Sequence, residues 1–104
     1  MSPAEARDAL ARAFPGMDWA AYSANVRGLV RTVSVVVHLN DLGPGWYALA
    51  DAGGTISGRS AADPVAAVTL AMTALREHLQ RHLTAQLAAL DAADVARLNA
   101  CEPE

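Results

Sequence analysis

The sequence predicts an α+β fold with N-terminal helices, a three-stranded antiparallel meander and one long C-terminal amphipathic helix (α-α-β-β-β-α, then a short terminal helix). Three observations support this prediction. A helix-start signature opens the chain, strand-like segments alternate with glycine-rich turns between residues 31 and 58, and a long helical stripe of apolar residues follows Asp63. The length of 104 residues suits a single domain, 1–104.

Two helices are predicted before the first strand. Ser2 and Glu5 have the spacing of a capping box, and the proline between them suits the first helical position. Pro15-Gly16 ends this helix. Asp18 then predicts the cap of a second helix, whose apolar edge continues as far as residue 28.

The central part of the chain predicts three strands. Apolar residues alternate or cluster over Arg31 to Leu39, Trp46 to Asp51 and Thr55 to Gly58. Turn-forming residues separate these segments at 40–45 and 52–54. Because both turns are short, the three strands should pair as an antiparallel meander.

The last predicted element is a long helix that starts at Ser60 or Asp63. Asp63 is the better cap, because it places Pro64 at the first helical position. The helix should end near Leu90, and Asp91 to Asp94 should break it before a short helix and a frayed tail from Cys101. Its apolar residues step by three or four positions. The stripe consists of the apolar residues Val68, Met72, Leu75, Leu79, Leu83 and Leu90, with the polar Gln86 between the last two.

This helix should be longer than the sheet beneath it. A helix ending at Leu90 is ~40 Å long at 1.5 Å per residue, whereas strands of this length reach ~17–30 Å. The overhanging residues Leu83, Leu87 and Leu90 therefore predict a homodimer interface. The alternative is that the N-terminal residues Leu10 and Phe14 cover them.

Both faces of the predicted sheet carry apolar residues. Val35 and Val37 point to one face, and Val36 with one of the aromatic pair Trp46 and Tyr47 points to the other. Such a sheet needs a layer on each side. We expect the long helix on one side and the N-terminal helices, or a second subunit, on the other.

Composition narrows the class of partner. The net charge is -3, all basic residues are arginine, and no basic stripe is visible, so nucleic acid is not an expected partner. The N-terminus lacks the basic and apolar regions of a signal peptide, and the apolar run at 33–39 is too short for a membrane span. We therefore expect a cytoplasmic protein. Cys101 is the only cysteine, so an intrachain disulfide is excluded.

The sequence contains no recognisable catalytic set, so neither an enzyme nor a cofactor is predicted. One alternative comes from His78 and His82, whose spacing of four lets two imidazoles share a zinc ion, with His38 as a third ligand. Surface histidines at the border of an apolar stripe have the same pattern. We therefore assign no metal ligand.

A protein partner is the predicted ligand. Trp46 and Tyr47 begin a strand after a glycine turn, and aromatic residues dominate binding hot spots. Alternation should bury one of the two and leave the other available. Arg27, Arg31 and Arg59 are expected near one end of the sheet, where they would bind an acidic partner or remain solvated.

The pattern from Gly45-Trp46-Tyr47-Ala48 through Gly58-Arg59-Ser60 and Asp63-Pro64 into the alanine-rich helix resembles two small families. One is the HicB-type antitoxin module, and the other is the phage-encoded α-β-β-α sandwich protein. The resemblance covers about residues 31–80. The chain lacks the Pro-Asp-Leu-Pro-Gly loop of the antitoxin and a DNA-binding segment after the helix.

The residues and the sandwich resemblance together predict a small non-enzymatic protein of phage or mobile-element type that acts by protein–protein binding. The resemblance implies inhibition of a host defence complex, as anti-CRISPR proteins do. One alternative is an antitoxin-like module that masks a toxin. The other is a small metal-binding protein or enzyme that uses His78 and His82.

Overall fold

The computed structural model describes residues 1–39 and 45–101, and within them the side chains as far as Asp94. The described residues form an α+β fold with an antiparallel sheet and a long C-terminal helix, as the sequence predicts. The sheet has five strands rather than three. In chain order the elements are α1 (Pro3–Ala13), β1 (Asp18–Ala21), β2 (Asn25–Val30), β3 (Val33–Leu39), β4 (Trp46–Ala52), β5 (Thr55–Ala61) and α2 (Pro64–Cys101).

Helix α1 begins as predicted. The Ser2 hydroxyl accepts a hydrogen bond from the Glu5 backbone N–H at 3.2 Å, and the Glu5 carboxylate accepts one from the Ser2 backbone N–H at 3.4 Å. This reciprocal pair is a capping box. Phe14 ends the helix, and its N–H donates to the Leu10 carbonyl at 2.8 Å. Ala6 and Leu10 form the buried face of α1.

The second helix predicted from Asp18 is wrong, because this segment forms the hairpin β1–β2. Trp19 lies directly opposite Gly28, and a Cβ atom at Gly28 would be only 2.6 Å from the indole ring. The indole N–H also donates to the Phe14 carbonyl at 3.0 Å. Burial of Trp19 against a glycine on the neighbouring strand stabilises a pairing that helix-cap signals alone do not reveal.

The bounds of the predicted strands change at two places. The strand expected from Arg31 begins at Val33, because Arg31 and Thr32 form the turn between β2 and β3. Arg31 has a φ of 53°, a conformation that hairpin turns of two residues use. The third predicted strand continues to Ala61, since that residue still pairs with Trp46 on β4. Of the predicted turn at 40–45, residues 40–44 lie outside the described residues.

The sheet is a simple meander in the order β1-β2-β3-β4-β5. Both helices pack against the same face and against each other, α1 on β1 and β2 and α2 mainly on β4 and β5. The core between them consists mainly of Trp19, Val26, Val35, Val37, Trp46 and Ala48 from the sheet and of Ala6, Leu10, Val68 and Leu75 from the helices.

Of the two covers expected for the second face of the sheet, the N-terminal segment is therefore wrong, and a second subunit stays a prediction. The reason is the width of the sheet. Five strands spaced about 4.8 Å apart need roughly two helices, 8–10 Å apart, to cover one face. Helices α1 and α2 are both used on that face. The opposite face carries no layer from the described part of the chain.

Helix α2 begins at Pro64 as predicted, and the Asp63 carboxylate accepts a hydrogen bond from the Ala66 N–H at 2.8 Å. The predicted break at Asp91 to Asp94 is wrong, because α2 continues for 38 residues to Cys101. Alanine has the best helix propensity, and the alanines around the two aspartates favour continuation. Leu70 is exposed on the side of α2 away from the sheet.

The C-terminal half of α2 extends beyond the sheet, as the sequence predicts. A helix of 38 residues is about 57 Å long, whereas a strand of seven residues spans about 23 Å. All residues from Arg81 to Asp94 are exposed. The molecule accordingly measures 71 Å along its longest axis and 26 Å across the next. Among the described residues, no helix is long and apolar enough to cross a membrane.

Candidate binding surfaces

The structure presents two surfaces that the described chain does not cover. We call the first the open face, which is the side of the sheet opposite the helices. Strand register aligns its side chains in rows, so that Leu29, Ser34, Asp51 and Ile56 form one row and Arg27, Val36, Leu49 and Gly58 form the next. The third row contains Asn25, His38, Tyr47 and Ser60.

The open face is apolar for a surface in contact with water. Leu29 is 54% exposed and Ile56 is 51% exposed. Val36, Leu49 and Tyr47 lie between them and are half-buried. An antiparallel sheet with one solvated face normally alternates apolar and polar residues so that the solvated side is polar. This sheet departs from that rule over three central strands, and contiguous exposed apolar patches mark binding sites.

Tyr47 lies across the β5 side of the open face. Its hydroxyl occupies the space in which a Cβ atom at Gly58 would lie, so the glycine leaves room for the end of the ring over β5. The His38 ring is 5.5 Å from the Tyr47 ring on the neighbouring strand, with a tilt of 40°. His38 Nδ1 is 2.9 Å from the Leu39 carbonyl oxygen. The pair forms an aromatic margin at one end of the open face.

Tyr22 and Arg27 form the margin beside the β1–β2 turn. The Arg27 guanidinium lies 5.2 Å from the centre of the Tyr22 ring, within the range of a cation–π interaction. Its Nε donates to the Asn25 side-chain oxygen at 3.3 Å. These two contacts hold the arginine over the sheet. The surface between Tyr22, Leu29 and Val36 is concave, with a volume of about 400 Å³.

The second uncovered surface is the overhang of α2, defined here as residues 81–94. Leu83, Leu87 and Leu90 are 56%, 52% and 62% exposed. Where α2 leaves the sheet, a groove of about 280 Å³ opens between the helix and the sheet. Its lining is mostly apolar and includes Val33, Ala52, Met72, Leu79 and Leu83. The apolar stripe of the overhang therefore continues into the groove.

The structure separates the two aromatic residues that the sequence places at a partner site. Trp46 is 4% exposed and belongs to the core, whereas Tyr47 lies on the open face. One residue of the pair is thus buried and the other is available, as alternation requires. Of the two, Tyr47 alone lies on a surface that a partner can reach.

The three arginines do not come together. Arg31 lies in the β2–β3 turn, at the end of the sheet where β4 turns into β5. Arg59 pairs with Ala48 and points to the helix side of the sheet, nearer its other end. Arg27 lies on the open face, opposite Val36. The expectation that these arginines form a cluster at one end of the sheet is wrong.

The histidines of the metal hypothesis are also separated. His78 and His82 are exposed on α2, whereas His38 lies on the open face, on the other side of the sheet. Within residues 1–39 and 45–94, no group of three or more histidine, cysteine, aspartate or glutamate side chains is arranged to hold a metal ion. The geometry gives His78 and His82 no third ligand from the sheet.

The sequence does not identify Tyr22 and Leu29 as surface residues, because its signals predict a helix over residues 18–28 and a strand only from Arg31. The alternation of buried Val26 and Gly28 with exposed Arg27 and Leu29 is a two-residue period, and it was the available signal. Comparison of the chain with models of protein families, with curated proteins and with solved structures finds no match. Function is therefore inferred from the two surfaces.

Proposed function

We propose that this is a small non-enzymatic protein that acts by binding another protein through the open face. The observation that supports the proposal is the patch of exposed and half-buried apolar residues on β2 to β5, with Leu29 and Ile56 at its margins and Val36, Leu49 and Tyr47 between them. A surface of this kind is costly in water unless a partner covers it. Burial of apolar area contributes about 25 cal/mol per Å².

The charges on the open face indicate what the partner presents. Apolar side chains occupy the middle, while Asp18 and Arg27 lie on the β1–β2 side and Asp51 lies on β4. These charges have both signs and do not form a basic stripe of the kind that binds phosphates. The matching partner surface has an apolar centre and a polar rim, as protein interfaces do.

The finer hypothesis is that the partner belongs to a host defence complex and that binding inhibits it. Its support is the resemblance of residues 31–80 to the phage sandwich proteins. The competing hypothesis, a toxin as partner, is favoured by one structural observation. The segment β3-β4-β5-α2 has the strand–strand–strand–helix order of the HicB-type module. A toxin reading frame beside the gene favours the second hypothesis, and phage genes beside it favour the first.

The proposal is tested by quantitative affinity capture from a lysate of the source organism with matched baits. The test variant is Leu29→Glu, which puts a charge on the open face. The control is Leu70→Glu, because Leu70 is 49% exposed on α2 and lies on neither surface. We expect a protein that the unchanged chain and the control capture and that the test variant loses by tenfold or more. Equal capture by both variants would contradict the proposal.

A further inference from the structure

We infer that the overhang of α2 binds a second copy of this chain, in an antiparallel helix pair centred on Ala85. The inference concerns a surface separate from the open face and does not depend on the proposed function. It goes beyond the apolar stripe, because the side chains along α2 specify the orientation and the register of the pair.

The seam is defined by six residues of α2 whose positions differ alternately by four and three. They are Arg76, Gln80, Leu83, Leu87, Leu90 and Asp94. This is the spacing of the a and d positions of a coiled coil. All six side chains are exposed in the single chain. The sheet contacts a neighbouring stripe of α2 instead, which includes Val68 and Leu75.

The seam is complementary to its own antiparallel copy. When the twofold axis crosses the seam at the level of Ala85 along the helix, Leu83 lies opposite Leu87 of the second copy, and Gln80 lies opposite Leu90. At the two ends, Arg76 lies opposite Asp94, so that each end of the pair has an ion pair. The leucines form the centre of the contact, and the opposite charges close it.

A parallel pair would be repelled at the same positions. It would place Arg76 against Arg76 and Asp94 against Asp94, and like charges across a seam are unfavourable. Intrachain pairing of the two residues is excluded by distance. Their positions on the helix are roughly 27 Å apart at 1.5 Å per residue. The charges therefore favour the antiparallel pair, the arrangement of an isologous dimer.

The groove beside the sheet fits this arrangement. Arg76, Gln80 and Leu83 line it together with Val33 and Ala52 at the end of the sheet. In the antiparallel register, Leu90 of the second copy lies against Gln80, at this groove. The apolar ends of β3 and β4 would then contribute to the interface along with the helix.

An isolated helix with an apolar stripe gains little stability by itself, since most helical stability in proteins comes from packing. The described chain supplies no packing for residues 81–94, which are all exposed. Pairing with a second copy covers the stripe of both helices at once. The packing of the core between the sheet and the two helices does not need to change for this contact to form.

The test is sedimentation equilibrium of the full chain and of charge variants. The unchanged chain should have twice its mass of 10.8 kDa at high micromolar concentration. Arg76→Asp and Asp94→Arg should each raise the dimer dissociation constant roughly tenfold or more, because both ion pairs become like-charge pairs. The combined variant should return it to the original value. Because Arg76 and Asp94 cannot meet within one chain, this recovery requires contact between two copies.

Arg81→Asp is the control, because Arg81 lies on the opposite side of α2 from the seam and the change in net charge equals that of Arg76→Asp. It should leave the dissociation constant unchanged. Leu87→Glu should give a folded monomer, with folding checked by circular dichroism. A monomeric unchanged chain would overturn the inference, and so would failure of the combined variant to recover. A dimer that Leu29→Glu abolishes and Leu87→Glu leaves intact would move self-association to the open face.

Discussion

The two faces of the same sheet have similar apolar residues and opposite surroundings. On the helix side, Val26, Val35 and Val37 are completely buried under α1 and α2. On the open face, Val36 is half-buried by its strand neighbours and Leu29 is more than half exposed. The difference shows that the apolar content of a strand does not determine which side is the core. The core lies on the side where α1 and α2 pack, and the sheet is wide enough to use both helices on that one side.

The two faces should differ most in how much the free energy of unfolding falls when a leucine is replaced by alanine. Leu10→Ala removes a completely buried side chain between α1 and the sheet, and it should lower the free energy of unfolding by about 2–5 kcal/mol. Leu29→Ala makes the same chemical change on the open face and should change it by about 0.5 kcal/mol or less. Urea denaturation of both variants measures the difference. Equal costs would mean that the open face is packed in solution.

A second comparison uses two glycines that face aromatic rings on opposite sides of the sheet. Gly28→Ala forces a methyl group against the buried Trp19 ring, which the core holds in place, so a loss of about 1–3 kcal/mol is expected. Gly58→Ala displaces the hydroxyl end of Tyr47, which is free to swing into solvent, so the loss should be smaller. Thermal melts monitored by tryptophan fluorescence report both values. A larger loss for Gly58→Ala would contradict the assignment of the two faces.

Loss of the cap at the start of α2, on the helix side of the sheet, should lower the free energy of unfolding by an intermediate amount. Asp63→Ala removes the carboxylate that accepts the Ala66 N–H, and it should cost about 1 kcal/mol. Asp91→Ala is the matched control, because Asp91 is exposed within the same helix rather than at its start. Chemical denaturation of the two variants should show a loss for the first only. A loss for both would mean that the aspartates act through overall charge.

The double variant Ile56→Gln/Leu29→Gln should have the smallest effect on stability and should clearly reduce the exposed apolar surface. Both side chains are half exposed, so the free energy of unfolding should stay within about 0.5 kcal/mol of the original. Binding of a dye that fluoresces on exposed apolar surface should fall. At a protein concentration low enough for the chain to be monomeric, Leu83→Gln with Leu90→Gln on the α2 overhang separates the contributions of the two surfaces. Unchanged dye fluorescence in both double variants would contradict the exposure of these surfaces.

Much of the framework could be predicted from the sequence, because its signals are local. Ser2 with Glu5, and Asp63 with Pro64, mark helix starts through contacts a few residues apart. The length of the apolar stripe of α2 also predicts that the helix extends beyond the sheet. The hairpin β1–β2 could not be predicted in this way, since it depends on Trp19 packing against Gly28 on another strand. Its turn into β3 uses Arg31 at positive φ, where glycine or asparagine would have given a clearer signal.

The residues of the candidate surfaces also divide into those with a local sequence signal and those that depend on contacts between distant segments. Leu83, Leu87 and Leu90 were identified from helical spacing alone, and they are exposed. Tyr47 was identified from its place after a glycine turn, but Tyr22 and Leu29 were not, because the open face exists only once β1 and β2 join the sheet. Which face lacks a helix is a property of the whole fold. No short segment of the sequence contains it.

Site-specific photo-crosslinking tests the central claim most directly, because one measurement reports what touches each surface. A photoreactive phenylalanine analogue would replace Leu29 or Ile56 on the open face, Leu87 on the overhang, and Leu70 as the control. We predict adducts with a different protein from the first two positions, adducts with a second copy of this chain from Leu87, and none from Leu70. Adducts with a different protein from Leu70 or Leu87, and none from the open face, would contradict the account.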